Sequence, residues 1–144
     1  MKELRSQRGF TLIELLVVLT ILALLAALII PRMTGITDDA RRKQTTVQIK
    51  QLEQALHLFE LDNGFFPSTE QGLIALVTKP TTGKIPQRYR DGGYIQKVPK
   101  DPWDHVYIYI APGAHGDFDL ISYGADGEKG GEGKNADIEN WNLQ

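Results

Sequence analysis

The sequence predicts an α+β chain, a long N-terminal helix packed on a small antiparallel β-sheet. Three observations lead there. Between Phe10 and Ile30 the only charged residue is Glu14. Beyond that run, apolar residues recur at three- and four-residue steps as far as Phe59. After Gly64 the chain is punctuated by glycine and proline, and short β-prone segments lie between the punctuation marks.

Nothing breaks helical periodicity from Phe10 to Pro31, where the missing backbone N–H removes one hydrogen bond and marks a kink. Ala40, Val47, Ile49, Leu52, Leu56 and Phe59 then form an amphipathic pattern, with Arg41, Arg42, Lys43, Lys50, Glu53 and Glu60 as its solvated face. Asp62-Asn63-Gly64 is a C-cap signal, so one continuous helix should end there. Ser68-Thr69-Glu70-Gln71, ahead of Gly72-Leu73-Ile74-Ala75-Leu76-Val77, predicts a short capped helix. Strands are expected at Tyr94-Ile95 with Val98, at Val106–Ile110 and at Phe118–Tyr123, joined as a meander. Such a sheet needs an apolar cover, which the amphipathic half of the helix supplies.

The apolar run also sets topology. Its residues from Phe10 to Ile30, at 1.5 Å each, span about 31 Å, the thickness of a bilayer's hydrocarbon core. Lys2, Arg5 and Arg8 precede it, so residues 1–9 should stay cytoplasmic while the bulk is exported. The run is too long for an ordinary secretory signal, and Ala-Leu-Ile-Ile-Pro-Arg at its end offers no small-residue cleavage site. An uncleaved anchor fits the hydropathy but gains nothing from a buried acid, which is costly at membrane depth. Glu14 therefore calls for a cationic partner.

Composition excludes several classes. A net charge of −2 with no basic, aromatic-interleaved patch speaks against nucleic acid. The absence of cysteine removes disulfides, thiolate metal sites and cysteine nucleophiles together. His57, His105 and His115 are scattered, and no G-x-S-x-G or phosphate-cradling loop occurs, so no enzyme is visible. Trp103 and Trp141 are read as packing residues, and Asp117 and Asp119 as alternating positions that face water.

Gly9-Phe10-Thr11-Leu12-Ile13-Glu14 resembles the processing site of type IV pilins and pseudopilins. Later blocks narrow the resemblance: Phe66–Leu73, Gly92-Gly93-Tyr94-Ile95, Val98–Trp103, Ser122–Gly127 and Ala136–Trp141 look like the major pseudopilin of type II secretion. One departure is Asp104, where the family usually has glycine. The resemblance implies a type IV pilin-like fold and three parts. These are a leader, 1–9, removed by prepilin peptidase; a transmembrane and fibre-core helix, 10–30; and a periplasmic domain, 31–144. Cleavage then falls between Gly9 and Phe10, with methylation of the new Phe10 amine. Glu14 can pair with the amine of its own Phe10, four residues back on one helix face. The alternative is the amine of an incoming neighbour, which the resemblance favours.

Residues Asp126–Asp137 pack four acids, Asn135 and four glycines into twelve positions. Ca²⁺ takes six to eight oxygens, and glycines let carbonyls turn inward. An EF-hand comparison fails, because Gly130 takes the fifth place, Asp137 replaces the bidentate glutamate, and a β-like run precedes the loop. Composition alone favours a solvated, mobile acidic loop. The resemblance implies a calcium site with side-chain ligands Asp126 and Asp137, carbonyl ligands Tyr123 and Lys134, and Asn135 as a secondary candidate.

The function so implied is that of a structural subunit at the bacterial inner membrane. Processed chains form a homopolymeric periplasmic fibre that drives folded proteins across the outer membrane. Its implied partners are minor pseudopilins, inner-membrane assembly proteins of type II secretion and prepilin peptidase. The competing expectation is a pilin of an extracellular adhesion or DNA-uptake fibre, whose C-terminal disulfide loop is missing here. A membrane-anchored enzyme would need a chemical constellation that is not found.

Overall fold

The computed structural model describes the backbone of residues 11–143 and the side chains of residues 11–25 and 37–143. Gly9 and Phe10 lie outside the described residues. The chain falls into two compact units, Met1–Thr37 and Asp38–Gln144.

Helix α1 spans Leu12–Asn63 and continues through Pro31. It starts on Thr11, whose Oγ1 accepts the Glu14 N–H at 3.2 Å, an N-cap bond. It ends at Gly64, whose φ of 76° is left-handed and whose N–H reaches the Glu60 carbonyl at 2.6 Å, as the C-cap signal requires. Ile49, Leu52, Leu56 and Phe59 are buried, but Ala40 and Val47 are exposed. At 100° per residue, Val47 lies about 200° round the helix from Ile49 and Ala40 about 180°, so both fall on the far face. The expected inner stripe loses these two members.

The predicted capped helix is present in a tighter form. Ser68 and Gln71 bond reciprocally, Ser68 N–H to Gln71 Oε1 at 3.0 Å and Gln71 N–H to Ser68 Oγ at 3.2 Å. This box closes a turn just before Gly72, and the helix that follows is a 3₁₀ turn, Leu73–Leu76. Gln71 Nε2 also donates to the carbonyls of Thr82 and Lys84, which ties down the following loop.

The sheet is three-stranded and antiparallel: β1 Ile108–Ile110, β2 Asp119–Ser122 and β3 Ile138–Glu139, in that order. Tyr109 faces Leu120 across β1 and β2, and Ser122 faces Ile138 across β2 and β3. The expected strand at Tyr94-Ile95 is not formed. The N–H groups of both residues converge on one carbonyl, that of Leu76, and the closeness of Gly93 explains it. A Cβ on Gly93 would stand 2.7 Å from the carbonyl oxygens of Leu76 and Val77, so this backbone seats on the 3₁₀ turn instead of entering a ladder. The third strand comes from Ile138-Glu139, too short for alternation to reveal.

The core joins α1 to the sheet. Ile49, Leu52, Leu56 and Phe59 pack with Leu73, Leu76, Tyr107, Tyr109, Phe118, Leu120 and Ile138. Two tyrosines carry polar ends through it: Tyr109 Oη donates to the Pro67 carbonyl at 2.8 Å and Tyr107 Oη to Gln48 Oε1 at 2.6 Å. Burial raises both phenols above their ordinary range, and Asp101 adds to the shift at Tyr107.

Candidate functional site

Two places concentrate the predicted residues. The first is the beginning of α1. Side chains from Leu12 to Leu25 are exposed, with Leu12 at 85% and Leu25 at 51%. Glu14 sits among them in the first turn, where the positive end of the helix dipole favours an acid. Among the described residues no helix is long and apolar enough to cross a membrane. The predicted cleavage junction Gly9–Phe10 is outside those residues, so Thr11, Leu12, Ile13 and Glu14 are the members of the motif that the structure places.

The second place is the loop from Tyr123 to Asp137. Its limbs meet where the Ala125 N–H donates to the Lys134 carbonyl at 3.1 Å, which leaves one lone pair of that oxygen for another partner. Asp126 Oδ1 accepts the Glu128 N–H at 3.1 Å. Asp137 Oδ2 accepts the Gly130 N–H at 2.9 Å, whereas its Oδ1 is buried with no hydrogen-bond partner. A buried carboxylate oxygen without a donor is costly unless a cation compensates it. Asn135 stands in a 3₁₀ turn, Gly133–Asn135, that leads into Asp137. Glu128 and Glu132 are exposed.

Among the described residues there is no group of three or more histidine, cysteine or acidic side chains arranged to hold a metal. A cation in this loop would therefore draw on two acids and on carbonyl and amide oxygens. That donor set is hard and all-oxygen, and it fits Ca²⁺ better than a transition metal.

Residues that the sequence reading passed over hold the first limb. Asp101 is 4% exposed and accepts the N–H groups of Trp103 and His105 at 3.1 and 2.8 Å and the Ser122 hydroxyl at 2.6 Å. Ser122 Oγ accepts the Gly124 N–H at 3.3 Å, and His105 Nδ1 lies 3.1 Å from the Gly124 carbonyl. A carbonyl only accepts, so Nδ1 carries the proton there. This trio is not a nucleophile with its base, because Ser122 is fully buried and His105 bonds to the backbone. The signal available in the sequence was Asp101-Pro102-Trp103-Asp104, a turn with an acid at its first position. Asp104 itself adopts a φ of 71°, which explains why a glycine suits that place.

The second limb is held from α1 and β2. Arg42, expected on the solvated face, donates from Nη1 to the Ala136 carbonyl at 2.6 Å. Glu53, placed on the same face, accepts from Asn140 Nδ2 at 3.2 Å, and Asn140 Oδ1 accepts the Leu120 N–H at 2.9 Å. Trp141 stacks on His115 with ring centroids 3.8 Å apart and an interplanar angle of 11°. Asp119 was expected to face water, but it is 4% exposed. It accepts the N–H groups of Ala114 and His115 and lies 3.2 Å from His115 Nδ1. Burial alone would raise its carboxyl, but these donors outweigh burial and hold it below the usual carboxylate range.

Comparison with known proteins agrees with this geometry. Residues 32–141 match the family model described as type II secretion system (T2SS), protein G, and residues 4–30 match the prokaryotic N-terminal methylation motif. The chain is 49% identical over 144 residues to type II secretion system core protein G of Vibrio cholerae, covering 100% of this chain and 98% of that one. Its counterpart in Pseudomonas aeruginosa is 49% identical over 137 residues, covering 95% of this chain and 96% of the relative. The crystal structure of the major pseudopilin from the type 2 secretion system of enterohaemorrhagic Escherichia coli superposes with a TM-score of 0.67 at 43% identity, covering 74% of this chain and 87% of that one. With its exposed apolar helix start, its small antiparallel sheet and its family match over most of its length, this chain belongs to the type II secretion system protein G family.

Proposed function

We propose that this chain is the major subunit of a type II secretion pseudopilus, made as a precursor and matured at Phe10. The observation that carries the reading is the exposed apolar start of α1 with a single acid in its first turn. A surface of that kind is stable only in lipid or against other apolar helices. In this reading residues 10–30 first anchor the chain in the inner membrane, with residues 1–9 cytoplasmic and residues 31–144 periplasmic. The same helices then form the core of a homopolymeric fibre. Minor pseudopilins, inner-membrane assembly proteins and prepilin peptidase are its partners, and its work is mechanical, not catalytic.

Cleavage after Gly9 turns the Phe10 amide into a charged amine, and methylation keeps that charge. Glu14 then gains the cation it lacks in lipid, and a neighbour's amine would set the register between subunits. Calcium in the Tyr123–Asp137 loop belongs to the same proposal, supported by the unpartnered Oδ1 of Asp137. Asp126 and Asp137 would hold it with the carbonyls of Tyr123 and Lys134 and with Asn135. The ion supplies positive charge that offsets the clustered acids and closes the loop of a chain without cysteine.

The test is mass spectrometry of the mature protein together with crosslinking of fibres. The mature chain should begin at Phe10 with a methylated amine, and Glu14→Ala should be cleaved normally yet crosslink into fibres poorly. A mature chain that retains residues 1–9 in a host with the peptidase, or Glu14→Ala fibres at wild-type yield, would contradict the proposal.

A further inference from the structure

We infer that Arg42 is a positioning residue for the calcium loop, so that the occupancy of that loop and the placement of α1 are coupled. The inference rests on the calcium reading above and adds a role for a residue on the helix. Arg42 Nη1 donates to the Ala136 carbonyl at 2.6 Å, across 94 residues of sequence. Ala136 stands between Asn135 and Asp137, two of the residues that would face the ion. Its carbonyl shares a peptide plane with the N–H of Asp137. Fixing that oxygen fixes the plane from which the Asp137 side chain departs, with Oδ1 buried and unpartnered.

The first limb closely approaches the same oxygen. Gly124 has a φ of 66°, and a Cβ there would come within 3.0 Å of the carbonyl oxygens of both Asn135 and Ala136. The second limb is therefore pressed against the first at Gly124 and drawn toward α1 by Arg42. Arg42, Lys43, Thr46, Asp137 and Leu143 line one groove, so helix and loop share a surface here. A charged donor to a carbonyl is stronger than a neutral one, and groups that orient a metal's ligands typically change its affinity about 10- to 100-fold when removed.

The experiment is calcium titration calorimetry on the full chain in detergent, with melting curves in calcium and in chelator. Arg42→Gln should raise the calcium Kd about tenfold or more and shrink the calcium-dependent rise in Tm. Arg41→Gln removes a helix cation that pairs with Asp38 at 3.7 Å, and it should bind as the wild type does. A purely structural Arg42 would lower Tm equally in calcium and in chelator and leave Kd unchanged, and that result overturns the inference. Tighter binding in Arg42→Gln, which repulsion between the guanidinium and the ion would produce, overturns it too. If Arg42→Gln does not fold, Arg42→Met keeps the aliphatic stem and is judged by the same Kd. A wild-type chain with neither calcium heat nor a calcium-dependent Tm removes the calcium reading itself, whereas a wild type that binds beside an equally tight Arg42→Gln removes only the role of Arg42.

Discussion

Asp119 shows how much one side chain depends on what folds around it. In the sequence it alternates with Asp117 and looks like a water-facing strand residue. In the fold it receives Ala114 and His115 and supports the ring that stacks on Trp141. Its carboxyl is held below the ordinary value, so the folded state binds its proton less readily than the unfolded chain does. The stability it contributes is present above an unfolded pKa of about 3.9 and is lost as pH falls from there through the lower folded pKa. Asp119→Asn should thus destabilise the protein at pH 7 and flatten the fall in Tm below about pH 4. Melting curves of both proteins between pH 7 and pH 2.5 check this, and parallel curves would show that Asp119 plays no part. At the same scale Arg90 lies 2.6 Å from Asp62 at the end of α1 and holds that carboxyl low as well.

Among the elements, α1 was the most legible and the sheet the least. The C-cap of α1 at Gly64 and its inner stripe of Ile49, Leu52, Leu56 and Phe59 follow from local chemistry, and the structure adds the N-cap at Thr11. The segment after it does not, because Gly92-Gly93 reads as a turn before a strand, whereas Gly93 acts as a close-contact seat. The two glycines differ in a testable way. Gly92 has a φ of 81° and nothing within 4 Å of an added Cβ, so Gly92→Ala should cost only the left-handed strain, about 1 kcal/mol. Gly93 has a φ of 80° and two carbonyl oxygens 2.7 Å from that Cβ, so Gly93→Ala should cost about 3 kcal/mol, with backbone displacement added to strain. Urea denaturation of the two variants compares them, and equal midpoints would refute the close-seat account.

The molecule as a whole holds its C-terminal segment by a loop that has no disulfide. Ile138-Glu139 is an edge strand of the sheet, and Asp137 directly precedes it, so the loop ends where the sheet's last strand begins. An ion bound only to the folded form adds about 2.7 kcal/mol at a hundredfold excess over Kd. In a domain of this size that is roughly 10 °C or more of Tm. The chain in detergent should therefore melt higher in millimolar calcium than in chelator, with magnesium a poor substitute because it demands tighter octahedral geometry. Asp126→Ala should remove the difference. Identical melting of the wild type in calcium and in chelator would leave the loop as a solvated acidic turn.

Local information in the sequence determined the long helix with its C-cap, the apolar run that carries Glu14, the processing motif and the oxygen-rich composition of the C-terminal loop. Each depends on residues a few positions apart, where periodicity, capping and composition act directly. Only the tertiary structure decided that Ile138-Glu139, not Tyr94-Ile95, completes the sheet, that Asp101 and Ser122 support one limb of the loop, and that Arg42 grips the other. Those contacts join residues 16 to 94 positions apart, and their partners are set by which groups approach closely enough to share a hydrogen bond. Sequence pattern carries no record of that approach, because a buried carboxylate and a solvated one are written with the same letter.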